Sequence, residues 1–251
     1  MIHSFLLIGQ SNMAGRGFVA EVPAIENEKI KVLRNGRWWP MYRPVNPDRK
    51  TAGVNLAETF VDDYSKAHPD VEVGIIPCAD GGTCLDQWQV GSLLYDNAVN
   101  VARLAMRTST IAGVLWHQGE SDCEGGRAPL YRKKFEVIMA ALRKDLGLED
   151  VPFLLGGLGD FLADFPPAGR FGNYVHINAQ LQEIAKANPM TGFVSAEGLG
   201  SNPDLMHFSA EALFEFGHRY YRVFETLEDK NKVFEEKCEM DAAIRSEIEY
   251  L

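Results

Sequence analysis

The chain has 251 residues, 46% of them hydrophobic and 24% charged, with a formal net charge of −10 at pH 7; this is the balance of a globular protein with one well-buried core. Its longest basic run is Arg132-Lys133-Lys134, too little concentrated positive charge to hold a phosphate backbone, which argues against a nucleic-acid partner. No apolar stretch approaches the ~20 residues that span a bilayer, and Phe5–Ile8 is too short, with no basic lead, to be the core of a secretory signal.

These features point to the cytoplasm and to no membrane partner; a secreted or periplasmic place follows only if a leader preceded the sequence. The four cysteines, Cys78, Cys84, Cys123 and Cys238, form no CxxC pair and no regular framework, so reduced thiols are expected. A Cys78–Cys84 bridge is the alternative in an oxidising compartment.

In chain order, Ser4–Ile8 reads as a buried strand, followed at once by Gly9-Gln10-Ser11-Asn12-Met13-Ala14-Gly15-Arg16-Gly17. Lys29–Leu33 and Arg37–Met41 flank Asn35-Gly36, a strong hairpin-turn dipeptide, and predict a small β excursion from the main pattern. Asn55–His68 carries Leu56, Phe60, Val61 and Tyr64 at helical spacing. Val71–Pro77 is β-branched and apolar, a second buried strand, and Leu93–Thr108 is helical. Ile111–Trp116 is a strand. Pro129–Leu146 is a helix, with Pro near its start and Gly147 after its end. Val151–Leu155 (strand), Asn173–Ala187 (helix) and Gly192–Ser195 (strand) follow, and Ser209 can cap a last helix from Ala210 onward.

Five parallel-type strands separated by helices predict an α/β fold, a three-layer α/β/α sandwich on a five-stranded, mainly parallel sheet, with the hairpin near 29–41 as an insertion. The domain is expected over residues 1–225. Residues 226–251, rich in Glu and Lys, read as a helical extension packed on the domain or on a partner.

In such a sheet ligands bind where the strands end and their loops converge. Four loops belong to that edge: Gly9–Gly17, Cys78–Trp88, His117–Gly126 and Ala196–Phe208. The first is neither a P-loop nor a dinucleotide fingerprint, and Met13 stands where a GxSxG elbow has Gly. In the second, Gly81-Gly82 lets backbone N–H groups approach a ligand, as an oxyanion hole needs. The third, Trp116-His117-Gln118-Gly119-Glu120-Ser121-Asp122, is densely polar directly after a strand. There His117 is more often a structural hydrogen bonder than a base, and His117, Glu120 and Asp122 have no recognised metal-ligand spacing. The fourth carries Asp204-Leu205-Met206-His207; an Asp three residues before a His can orient the imidazole, leaving its other nitrogen to deprotonate a serine. Trp88, Arg16 and Glu120 are candidates for binding a sugar by stacking or hydrogen bonding, with a structural role equally open to each.

Together these blocks resemble the SGNH-hydrolase superfamily, a flavodoxin-like fold, and within it the carbohydrate acetylesterase branch that includes sialate O-acetylesterases and acetylxylan esterases. The resemblance covers residue 4 to about residue 220. It implies Ser11 as nucleophile, His207 as base and Asp204 as its orienter. It also implies an oxyanion hole from the backbone N–H groups of Ser11 and Gly82 and the side chain of Gln118, where the wider superfamily has Asn. The expected activity is hydrolysis of acetyl esters on carbohydrate hydroxyls, without metal or cofactor. An acetylated mono- or oligosaccharide is the expected partner, and a homo-oligomer is left open. Two rival readings stand beside it: a catalytically silent carbohydrate-binding protein, and a lipase- or thioesterase-like hydrolase of longer acyl chains. A cysteine hydrolase using Cys84 or Cys123 with His117 lacks a visible orienting set.

Overall fold

Residues 1–228 are described by the computed structural model. Seven strands form one sheet: β1 (Ile2–Gly9), β2 (Ile30–Arg34), β3 (Arg37–Pro40), β4 (Glu72–Pro77), β5 (Ser109–His117), β6 (Phe153–Gly156) and β7 (Thr191–Val194). Their order is β3-β2-β4-β1-β5-β6-β7. Every pairing is parallel except β2 with β3. The helices are α1 (Ser11–Ala14), α2 (Ala57–Ala67), α3 (Leu93–Ala105), α4 (Tyr131–Leu146) and α5 (Tyr174–Ala187), with α6 over residues 210–228.

The sheet therefore has two strands more than the five expected. The hairpin is not an excursion: β2 pairs with β4 through Ile30↔Val73, Lys31↔Gly74 and Val32↔Ile75. Ile30 and Val32 are buried, so laying β2 along β4 hides their apolar side chains and satisfies a strand edge that would otherwise be open. The expected boundary at residue 225 falls inside α6. The remainder of the expected extension, residues 229–251, lies outside the described residues.

The uninterrupted apolar run of β1 has a simple cause: both faces of the sheet are covered. Leu6 and Ile8 join the core under α3, α4 and α5, while Phe5 and Leu7 join the core under α2 and α6. Phe5 meets Phe60, Tyr64 and Phe224 edge-on, with ring centroids 4.8, 4.8 and 5.6 Å away. These contacts lay α6 over β1 and α2. At its start, Ser209 Oγ accepts the N–H of Ala212 at 3.2 Å, the expected cap. No described helix is long and apolar enough to cross a membrane.

This topology places the loops. β1 lies between β4 and β5, so its exit loop is flanked by theirs. β7 is at the far end of the sheet, yet α6 packs over β1, so the chain between Val194 and residue 210 must cross the carboxyl edge to connect them.

Replacing Phe5 by Ala is expected to destabilise the fold by ~3–5 kcal/mol, the range for an aromatic ring removed from a packed core. Urea unfolding would measure this, and a loss below ~1 kcal/mol would contradict the packing described.

Candidate active site

At the end of β1 the chain runs tightly beside the end of β5, with Gly9 paired in register to His117. A Cβ on Gly9 would lie 2.1 Å from the carbonyl oxygen of His117, and Gly9 adopts φ +132°; only glycine allows that approach. Gln10 then donates its N–H to His117 O at 2.9 Å. The chain turns into α1, whose Met13 and Ala14 are anchored in the core. Ser11, the first residue of that turn, is held at the edge.

His207 arrives from the crossing segment. Its Nε2 lies 3.0 Å from Ser11 Oγ, and its Nδ1 lies 2.7 Å from Asp204 Oδ2. The other carboxylate oxygen, Oδ1, accepts the backbone N–H groups of Met206 and His207, each at 3.0 Å. Burial pushes the Asp204 carboxyl up, but the His207 ring and these two N–H groups outweigh it and hold it below the ordinary carboxylate value. An ionised carboxylate only accepts, so Nδ1 carries the proton and Nε2 presents its lone pair to the serine hydroxyl. Such a line can lend nucleophilic character to Ser11 and support acyl transfer.

Asn12 ties the two halves together, and sequence reasoning passed over it. Its Oδ1 accepts the N–H of Phe208 at 3.1 Å, and its Nδ2 donates to Met206 O at 3.1 Å and to Glu120 Oε1 at 2.5 Å. The residues on either side of His207 are thereby fixed to the neighbour of Ser11. Its signal was the placement of an amide beside a strand-exit serine, which has meaning only once the partner loop is known.

The glycine pair divides its roles. Gly81 donates its N–H to Asp48 Oδ2 at 2.8 Å. Gly82 adopts φ +76°, with no protein atom within 4 Å of where a Cβ would sit, and lines the cleft that contains Ser11 and His207. Gln118 departs from the expectation. It is 0% exposed, is not part of the cleft wall, and commits its Nε2 to Asp122 Oδ2 (2.6 Å), Thr83 O (3.0 Å) and Gln10 Oε1 (3.2 Å). Its amide braces the loops after β4 and β5 beneath the cleft.

Trp88 is also corrected. It is 0% exposed, packs edge-on against Trp116 with centroids 5.6 Å apart, and donates Nε1–H to Thr83 Oγ1 at 3.1 Å. A ring so enclosed has no face for a sugar. Arg16 does line the cleft, but it grips Asp48 in a bidentate pair, Nη1–Oδ1 3.0 Å and Nη2–Oδ2 2.7 Å. Glu120 reaches the cleft wall while nearly all of it is buried against Asn12. His117 is fully buried, with Nε2 3.0 Å from Gly157 O and Phe208 and Phe216 edge-on to its ring; burial lowers its pKa and removes it as a base. Among the described residues no three His, Cys, Asp or Glu side chains are grouped to hold a metal ion.

The cleft is about 560 Å³ and takes in further side chains that sequence reasoning missed, notably Arg49, Arg127, Arg170 and Phe171. Arg49 pairs with Asp80 at 2.6 Å, Arg170 with Glu124 at 2.5 Å, and Arg127 donates to Ser121 O. A larger hollow, about 800 Å³, lies between the β2–β3 hairpin and α3, but it holds none of the Ser11–His207–Asp204 line. Chemistry, not size, marks the site.

The sequence matches the carbohydrate esterase family described as sialic acid-specific acetylesterase over residues 1–226. It is 28% identical over 235 residues to a probable carbohydrate esterase of Arabidopsis thaliana, 85% of this chain and 86% of that protein. The crystal structure of an Arabidopsis thaliana protein superposes with a TM-score of 0.80 at 26% identity, covering 89% of this chain and 98% of that one. The crystal structure of NanS gives 0.72 at 18% identity, covering 91% and 98%, a likeness of fold alone.

Asn12→Ala cuts the tie between the serine turn and the residues flanking His207. It is expected to lower kcat on p-nitrophenyl acetate by about 100-fold, the scale of a 1 Å misplacement, with KM nearly unchanged. Steady-state kinetics would check this; an unchanged kcat would show that His207 is held without the clamp.

Proposed function

The chain belongs to the sialic acid-specific acetylesterase family of carbohydrate esterases, which makes it a carboxylic ester hydrolase, and we propose that it removes acetyl groups from sugar hydroxyls through an acetyl-enzyme formed on Ser11. The observation that carries the mechanism is the unbroken line Ser11 Oγ–His207 Nε2 (3.0 Å) and His207 Nδ1–Asp204 Oδ2 (2.7 Å). As Oγ attacks the ester carbonyl, His207 Nε2 takes its proton, and Asp204 stabilises the imidazolium through Nδ1. The carbonyl π electrons move onto oxygen, and the backbone N–H groups of Ser11 and Gly82 donate hydrogen bonds to the oxyanion. The oxyanion collapses, the C–O bond to the sugar breaks, and His207 returns its proton to the leaving alkoxide. A water molecule, deprotonated by the same nitrogen, then attacks the acetyl-enzyme and releases acetate and free Ser11.

The cleft wall supports a polar substrate. Arg16, Arg49, Arg127, Arg170, Gln87 and Glu124 outnumber the apolar Phe171 and Met206, and their fixed polar groups match a hydroxylated ligand. This weighs against a lipase- or thioesterase-like hydrolase. A silent carbohydrate-binding protein has no use for an imidazole nitrogen aimed at a serine hydroxyl.

Among the described residues the cysteines give no competing nucleophile. Burial pushes the Cys78 thiol up to about 12, and burial with the nearby Glu120, Asp122 and Glu124 raises that of Cys123. Cys84 lies on the cleft wall, with Sγ turned to Gln87 Oε1 at 3.6 Å, while the buried His117 ring faces Gly157.

Ser11→Ala is expected to reduce acetate release by about 10⁴-fold or more while circular dichroism stays unchanged. Acetate release should be measured on acetylated sialic acids, xylo-oligosaccharides and monosaccharides, with an octanoyl ester alongside. Residual turnover near the wild-type rate would sink the assignment, and faster octanoyl than acetyl hydrolysis would favour the lipase-like reading. Iodoacetamide at about pH 7 should leave Cys78 and Cys123 unmodified by mass spectrometry, since a protonated, enclosed thiol does not alkylate; rapid modification of either would contradict their burial.

A further inference from the structure

Helix α4 buries Tyr131, Phe135, Ile138, Met139 and Leu142, yet part of its outward side is also apolar. Leu130, just before its start, and Val137, two turns on, are 49% and 59% exposed, and Val90 from the loop after β4 is 50% exposed. The three line one groove of about 380 Å³ together with Ile138, Lys133 and Lys134. Lys134 is held by Asp86, whereas Lys133 is exposed and has no ion pair among the described residues. Leaving such aliphatic surface in water is unfavourable, and a groove of this kind takes the apolar face of an amphipathic helix. The basic rim selects an acidic one.

The chain carries such a segment. Beyond α6, Val233, Met240, Ile244, Ile248 and Leu251 recur at intervals of seven, four, four and three residues, a spacing that puts all five on one face of a helix. Residues 233–251 hold six acidic side chains, Glu235, Glu236, Glu239, Asp241, Glu247 and Glu249, against Lys237 and Arg245. A stripe of this kind draws its stability from covering another apolar surface.

The place where the described chain ends says whose groove that is. Glu228 lies 3.3 Å from His68, just past the end of α2, so α6 ends at the amino edge of the sheet on the face covered by α2 and α6. The groove opens on the opposite face, towards the carboxyl edge, where the chain has left β4 and β5. The six residues of β4 put the two edges about 20 Å apart. The five steps from residue 228 to residue 233 span at most about 18 Å and would also have to pass around the sheet. A stripe beginning at Val233 therefore starts too far from its own groove, a restriction that does not apply to the groove of a second copy. We propose that residues 233–251 lay their apolar stripe in the α4 groove of a second copy, with Lys133 facing their carboxylates. Two chains exchange these segments and associate as a dimer through two equivalent contacts.

Sedimentation velocity on the full chain should show a dimer at tens of micromolar. Ile244→Glu on the segment and Val137→Glu in the groove should each raise its dissociation constant by at least about 30-fold, the scale of losing one central apolar anchor. Turnover of p-nitrophenyl acetate within about twofold of wild type would show that the fold is intact, and Leu130→Glu reads the same groove should Val137→Glu lose activity. A carbodiimide, which joins an amine to a carboxylate in contact, should link Lys133 to a Glu or Asp within residues 235–249. In an equal mixture of ¹⁴N and ¹⁵N chains, the linked peptide pairs should include mixed isotopes.

A full chain that sediments as a monomer at that concentration overturns the proposal. So does a Lys133 link confined to single-isotope pairs, which seats the segment on its own chain, or no such link at all. A dimer that survives either substitution overturns it too. Survival of Ile244→Glu alone means that two grooves pair with each other, and survival of Val137→Glu means that the segment binds elsewhere.

Discussion

The site depends on how closely two strands can run at the carboxyl edge of the sheet. Gly9 at the end of β1 lies so near the carbonyl of His117 at the end of β5 that even a methyl group would collide with it. This contact sends the two exit loops out side by side. The Gln10 N–H satisfies His117 O, the Gln10 side chain reaches Gly119 and Ser121, and Asn12 reaches Glu120. Gly9, Gln10 and Asn12 of one loop are thus registered against the other before any substrate is present. Ser11 takes its position from its neighbours on both sides, which is the rigidity that a hydroxyl needs to attack along one trajectory.

The other half of the site is a consequence of packing on the opposite end of the topology. Phe224 of α6 is driven against Phe5, Phe60 and Tyr64, and the segment from β7 must span the edge to get there. Its length would make it a poor platform if it were free. Three attachments make it rigid: Asn202 Nδ2 donates to Arg16 O at 2.9 Å, Asp204 gathers the N–H groups of its own turn, and Asn12 takes hold on either side of His207. Leu205 adopts φ +52° within that turn, a region that non-glycine residues seldom visit, and the hydrogen bonds to Asp204 Oδ1 close the turn around it. Apolar burial thus delivers the base to the edge, and hydrogen bonds fix it there.

Much of this was legible in the sequence because it depends on residue type and local spacing. The strand at Ser4–Ile8, the Asn35-Gly36 turn, the Ser209 cap and the Asp204-x-x-His207 spacing all express chemistry confined to a few residues. What was not legible depends on partners far along the chain. The hairpin's parallel register with β4 pairs Ile30 with Val73, which no local pattern encodes. For Arg16 the sequence leaves sugar binding and a structural role equally open, because its partner Asp48 stands 32 positions away. Trp88 resembled a loop aromatic, but the turn it closes folds its ring back against Trp116. Gln10 and Gln118 both follow strands at the same edge, and nothing in their order along the chain says which amide is enclosed.

The charges around the cleft follow the same logic. In a chain of net charge −10, four arginines at one mouth suggest a cationic trap, yet each already faces a carboxylate or a carbonyl. Arg16 and Asp48 are the extreme case, buried and bidentate, with side chains 7% and 3% exposed; removing either partner would strand a charge at a cost of ~3–5 kcal/mol. Arg49 and Arg170 are half-exposed, and water screens their pairs so that these add little to stability. Their use lies in shape: Arg49 holds the loop after β4 through Asp80 and Gly81 O, and Arg170 holds the loop after β5 through Glu124. A cleft built from matched charges presents fixed hydrogen-bonding groups without strong net attraction for an anion. A ligand entering it must replace the water on those groups with hydrogen bonds of its own or lose their solvation. A hydroxyl-rich ring can do that, and an alkyl chain cannot.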